Sequence, residues 1–144
     1  MTVSHGLAPT GWFSFEDRSV GGRAEGWRGE LRQVLRAHLG NDRADDVLLA
    51  ASELVSNGAE HGGGVQCLRV RGEPGTVTVE VEDGVPRMLG RRASRPRRGR
   101  GLDFRGRGLD ITDSVADAWG WHSIAAGKVV WARFGSPNHR RGAG

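Results

Sequence analysis

Residues 52–61 read SELVSNGAEH, and within that stretch Glu53, Asn57 and His61 recur at four-residue steps. Residues four apart lie on one face of an α-helix, so the three polar groups form a single stripe. Reading outward, Val47, Leu48, Ala51, Leu54, Val55 and Ala59 supply the core side of a helix expected over 43–61, capped by Asn41 or Asp42. A solvent-facing stripe is the plain explanation for the polar row. Asn57 is its odd member, because asparagine is a mediocre helix former and the adjoining Gly58 is worse. A carboxylate, an amide and an imidazole in one row can also hold a divalent cation or orient a water, the amide oxygen being a hard ligand of the kind magnesium accepts.

The segments around this helix set the fold class. WFSFE at 12–16 alternates large and small residues as a strand does, and Ser19 is placed to cap a helix running to His38 with Leu31, Val34 and Leu35 on its apolar stripe. The glycine run 62–64 ends the central helix. Strands are expected over 65–71, 76–82, 118–124 and 129–134, the first two joined by the turn RGEPGT, and a third helix over 106–115. The order β-α-α-β-β-loop-α-β-β describes a two-layer α/β sandwich, with helices on one face of a mixed, mostly antiparallel sheet. We place the folded domain at 12–135, between tails at 1–11 and 136–144 that lack periodicity.

Composition narrows the function classes. A chain of 144 residues makes one core, and its single cysteine, Cys67, excludes an internal disulfide. No apolar stretch approaches the roughly 18 residues of a membrane span, and the expectation is a cytoplasmic protein. The net charge of +4 includes a single lysine, Lys128. Eight arginines fall within 91–107, RRASRPRRGRGLDFRGR. Such a run is a solvated loop or a polyanion contact. Phe104 is the one aromatic residue within it, too little for a base-stacking platform, so nucleic-acid binding ranks well below nucleotide contact. Trp119, Trp121 and Trp131 are expected in the core or on the sheet, and Cys67 is expected as a small buried hydrophobe.

Two further pieces complete the pattern. TVEVEDGVPR ends a strand at Asp83 and Gly84, putting a carboxylate at a strand terminus where an exocyclic amine can donate to it. An ordinary Asp-Gly turn is the competing explanation. RGRGLDI sets Gly106 and Gly108 at a helix start, where free backbone N–H groups can receive phosphate oxygens.

In order and spacing the set resembles the histidine-kinase-like ATPases of the Bergerat fold, and within them the anti-sigma-factor serine/threonine kinase branch. ASELVSNGAEHG is similar to that family's N box, VEVEDGVPR to its first glycine box, GRGLDITDSVADAWGW to its second and GKVVWARF to its closing strand. The resemblance spans 19–134. It implies ATP and Mg²⁺ as ligands, with Asn57 coordinating the metal and Glu53 activating the attacking hydroxyl or water. Asp83, beside Gly84, would accept from the adenine amine, Gly106, Arg107, Gly108 and Leu109 would wrap the phosphates, and His61 would lie near them. The segment 84–105 would be the ATP lid. A sigma factor and an anti-anti-sigma factor are the implied partners, and a homodimer the implied assembly.

Two departures stand out. Asp83-Gly84-Val85-Pro86 keeps the aspartate but loses the spaced glycines of the wider superfamily. Relatives commonly read Gly-Lys-Thr on the closing strand, with the threonine hydroxyl holding the adenine aspartate, where this chain has Gly127-Lys128-Val129. Loss of that hydroxyl is expected to weaken nucleotide binding by about 1 kcal/mol. The leading expectation is an ATP-binding anti-sigma factor and protein kinase. A catalytically inactive module of the same fold is the alternative, and a nucleic-acid binder acting through the arginine run is a distant third.

Overall fold

The computed structural model describes residues 2–4, 11–22, 26–87 and 107–135. Strands β1 (Thr2–Ser4) and β2 (Phe13–Asp17) precede a short 3-10 turn, helix α1 (Gly26–His38) and helix α2 (Asn41–His61). Then come β3 (Val65–Glu73), β4 (Thr76–Asp83), α3 (Arg107–Val115), β5 (Ala118–Ile124) and β6 (Gly127–Gly135). The six strands form one sheet in the order β1-β2-β3-β4-β6-β5. Every pairing is antiparallel, which replaces the mixed sheet expected from the sequence. The two-layer α/β sandwich with helices on one face is otherwise as expected.

Alternation along each strand sends one set of side chains toward the helices. Phe15, Val70, Val79 and Ala132 lie at one level of that face, with Leu68, Val81 and Val130 at the next. All are buried, and with Leu31, Leu35, Val47, Ala51 and Leu54 from α1 and α2 they form one continuous core. A β-bulge at Gln66 interrupts the period-two rhythm of β3. It lets Val65 and Leu68, three apart, both face the helices, Val65 opposite Asp83 and Leu68 opposite Val81. Pro74 and Gly75 make the tight turn into β4, with Gly75 at φ 86°, a conformation that favours glycine.

The opposite face of the sheet is polar. Arg69 reaches Glu80 at 3.0 Å and Glu82 at 3.1 Å, and Arg71 also reaches Glu80. Burial alone would lower the Arg69 pKa, but its hydrogen bonds to Glu80 and Glu82 outweigh it and hold the guanidinium charged. Cys67 lies beside Arg69, fully buried, and burial raises its thiol pKa despite the nearby guanidinium. A raised pKa and no solvent access both suppress thiolate chemistry. We therefore expect Cys67 in the folded chain to be alkylated at pH 8 roughly 100-fold or more slowly than in denaturant. Labelling followed by mass spectrometry measures this, and a rate equal to that of the unfolded chain would refute it.

Several element ends differ from the sequence reading. Ser19 does not cap a long helix: its backbone N–H and hydroxyl both donate to Asp17 Oδ1 at 2.8 Å, forming a turn. Val20–Gly22 is a 3-10 turn and α1 begins only at Gly26. The N-cap of α2 is Gly40, in extended conformation and without a side-chain cap, so neither Asn41 nor Asp42 caps it. Ala59, expected in the core, is exposed near the end of α2. Thr2–Ser4 pairs with β2 as a strand, inside the stretch read as a tail.

Candidate functional site

Helix α2 packs against the sheet, α1 and α3, and its polar row is partly enclosed, Asn57 buried and Glu53 and His61 half-buried. Gly58 explains how the helix reaches the sheet. A Cβ at that position would come within 2.8 Å of Val65 Cγ2 and 3.7 Å of Asp83 Cβ. The residue that weakens the helix by propensity is the one that lets it approach β3 and the end of β4.

Asn57, immediately before it, is buried at 8 % exposure, and its side-chain amide bonds to no other described residue. Its amide atoms are not among the fully enclosed polar atoms that lack a partner, so the amide reaches solvent and is open to water or a ligand. Glu53, one turn earlier, is half-buried. His61 is half-buried at the end of the helix, with Nε2 3.7 Å from its neighbour Glu60 Oε1, a long contact that leaves the ring accessible.

The helix end joins the aspartate strand directly. Gly62 and Gly64 both donate backbone N–H groups to Gly58 O, with Gly63 between them at φ 73°, and this closes α2. Gly84 N–H then donates to Gly62 O at 2.9 Å, tying the end of β4 to the end of α2. A Cβ on Gly62 would lie 2.4 Å from Asp83 Oδ2, so the helix terminus presses on the carboxylate.

Asp83 itself is fully buried and internally partnered. Val85 N–H donates to its Oδ1 at 3.0 Å. Lys128 Nζ, also buried, donates to Oδ1 at 3.0 Å and lies 2.9 Å from Oδ2. The register of β4 against β6 explains this pair, because Asp83 stands directly opposite Lys128 whereas Val129 stands opposite Glu82. Val129 therefore belongs to the other face of the sheet and does not stand opposite Asp83. The side chain that meets Asp83 is a lysine, a partner that sequence reasoning passed over although the strand period would have found it.

Of the remaining residues, Arg107, Gly108 and Leu109 open α3, whose first backbone N–H groups have no intrahelical acceptor. Gly106 lies outside the described residues, as does most of the lid 84–105 and nearly all of the arginine run 91–107. Farther along α3, Asp113 accepts from Trp119 Nε1 at 3.0 Å, fixing this tryptophan in the core as expected. Among the described residues no group of three or more His, Cys, Asp or Glu side chains could hold a metal ion. None of the described helices is long and apolar enough to cross a membrane.

The arrangement meets a nucleotide unequally at its two ends. An unpartnered amide, a half-buried carboxylate and a helix N-terminus suit phosphate oxygens and a hard cation. The carboxylate at the base end is paired with Lys128 at Oδ1, while its buried Oδ2 accepts no hydrogen bond. A comparison with curated proteins finds no match. The model of the histidine kinase-like ATPase domain matches residues 21–134, from the turn before α1 to the end of β6. With an α/β sandwich of the matching design and most of its length covered, the chain belongs to the histidine kinase-like ATPase domain family.

Proposed function

We propose that this domain is an ATP-binding regulatory protein that acts as an anti-sigma factor and transfers phosphate to a serine or threonine of an antagonist protein. The observation that carries the nucleotide part is Asn57, a largely buried residue of α2 whose side-chain amide makes no hydrogen bond to another described residue. Asn57 would hold Mg²⁺ together with phosphate oxygens, its amide oxygen being a hard ligand. The metal would neutralise phosphate charge. Arg107, Gly108 and Leu109 would offer backbone N–H groups at the start of α3. Glu53 stands one turn from Asn57, where a carboxylate can take the proton of an attacking hydroxyl. His61 would sit at the rim of the same face.

Calorimetric titration of ATP, with and without Mg²⁺, tests this reading. Wild type should bind more tightly with magnesium, and Asn57→Ala should reduce that difference by about tenfold, the worth of one charge-assisted contact. Equal magnesium dependence in both proteins would remove Asn57 from the metal site. For the kinase part, labelled phosphate should pass to a serine or threonine of an encoded antagonist and the transfer should cease in Glu53→Gln.

A second reading, a module that binds partners without turning over nucleotide, is supported by the Lys128–Asp83 pair. Phosphate transfer by the wild-type chain would exclude it.

A further inference from the structure

We propose that Ser123 is a positioning residue that latches the chain leaving β4, residues 84–87, along the ends of β6 and β5, and that this latch sets how fast a nucleotide enters and leaves the site. The inference rests on the nucleotide-binding reading above and concerns the rates of binding rather than the groups that bind.

The register of the sheet places Asp83, Lys128 and Ser123 in one row across β4, β6 and β5. Two residues inward, Val81, Val130 and Trp121 form the corresponding row, so the polar row continues the helix-facing side at the end of the sheet. Each of its members engages the backbone that follows β4. Val85 N–H donates to Asp83 Oδ1 at 3.0 Å, Lys128 Nζ donates to Val85 O at 3.5 Å, and Ser123 Oγ donates to Pro86 O at 2.5 Å. Residues 84–86 therefore run from β4 past β6 to β5, as a strap along the end of the sheet. The strap also rests on α2. Gly84 N–H donates to Gly62 O, and a Cβ on Gly63 would lie 3.3 Å from Val85 Cγ2.

The three holds differ in strength. Asp83 and Lys128 are 1 % and 3 % exposed at their side chains, whereas Ser123 and Pro86 are both exposed. Water competes with a neutral hydrogen bond at an exposed place, so the contact from Ser123 is the first to break. Pro86 has no N–H, and its carbonyl is the one backbone group by which the hairpin can hold it. Losing that contact leaves the strap held at the β4 and β6 end alone, and Val85 N–H then opens to solvent more often. Because the strap lies against the glycines that follow His61, it flanks the polar row of α2 at its C-terminal end. Opening at Pro86 widens that side of the site. The Ser123 hydroxyl is engaged with the strap itself, so the latch bears on entry and exit more than on affinity.

The test combines stopped-flow kinetics of N-methylanthraniloyl-ATP with Mg²⁺, chased by excess ATP, and hydrogen exchange at the Val85 amide in the ligand-free chain. Ser123→Ala should raise the exit rate by about three- to tenfold, the worth of one exposed hydrogen bond. The entry rate should rise with it, leaving Kd within about twofold of wild type. Val85 N–H should exchange faster by a similar factor, roughly three- to tenfold. Ser123→Thr keeps the hydroxyl and suits a strand, so its exit rate should stay within about twofold of wild type. An unchanged exit rate in Ser123→Ala would overturn the latch, even where exchange at Val85 accelerates. A threonine variant as fast as the alanine one would overturn it too, since the hydroxyl would not be the cause. So would a Kd that weakens in step with the exit rate, which marks damage to the site. If neither wild type nor variant binds the nucleotide, that reading fails and the control of its rates fails with it. Exchange at Val85 needs no nucleotide and shows separately whether Ser123 holds the strap.

Discussion

Lys128→Met should destabilise the domain by about 3–5 kcal/mol, because it leaves the Asp83 carboxylate buried without its counter-ion. Asp83 retains only the Val85 N–H as a donor once the ammonium is gone, and its second oxygen, which accepts no hydrogen bond even now, also loses the nearby positive charge. Methionine fills the lysine stem's volume, so the loss measures charge rather than a cavity. The double variant Asp83→Asn with Lys128→Met removes both charges and should recover most of that loss, ending within about 1–2 kcal/mol of wild type. Urea unfolding of the four proteins of the cycle measures the coupling, provided the slope stays constant across them. A single-variant cost below about 1 kcal/mol would mean that the pair is hydrated and behaves as a surface ion pair.

The same pair shows where the sequence could be read and where it could not. The body and C-terminal end of helix α2 were legible, because its apolar spacing and the glycines after it are local signals, whereas its cap was not. The β3–β4 hairpin was legible from Glu73-Pro74-Gly75-Thr76 for the same reason. Gly58 could be read only as a weakness, since its use, close approach to Val65 and Asp83, is a tertiary fact. Ser19 has the chemistry of a cap, yet Asp17 two residues earlier captures its N–H and hydroxyl, and nothing local decides between the two. The partner of Asp83 was missed by one position. Adjacent residues on a strand face opposite sides, so a shift of one exchanges Val129 for Lys128, a neutral neighbour for an ion pair.

Gly127→Ala should be comparably severe, costing about 3 kcal/mol or more, for a reason rooted in the same corner of the sheet. A Cβ on Gly127 would sit 1.8 Å from the Asp83 carbonyl oxygen, 2.8 Å from its carbonyl carbon and 2.9 Å from Gly84 Cα. All three are backbone atoms, so no side-chain rotation relieves the overlap. The ends of β4 and β6 would have to part by roughly 1 Å or more against a normal strand spacing of ~4.8 Å. That movement acts where Asp83 meets Lys128 and where Gly84 N–H holds Gly62 O, so ladder, ion pair and helix tether all loosen together. Gly75→Ala is the control, because its φ of 86° is strained for alanine but no atom lies within 4 Å of the added Cβ. Strain alone should cost that variant about 1 kcal/mol. Thermal unfolding should rank Gly127→Ala well below Gly75→Ala, by roughly 5 °C or more. Equal melting temperatures would mean that β6 can give way at Gly127, and that the pressure on Asp83 from this strand is not what holds it against Lys128.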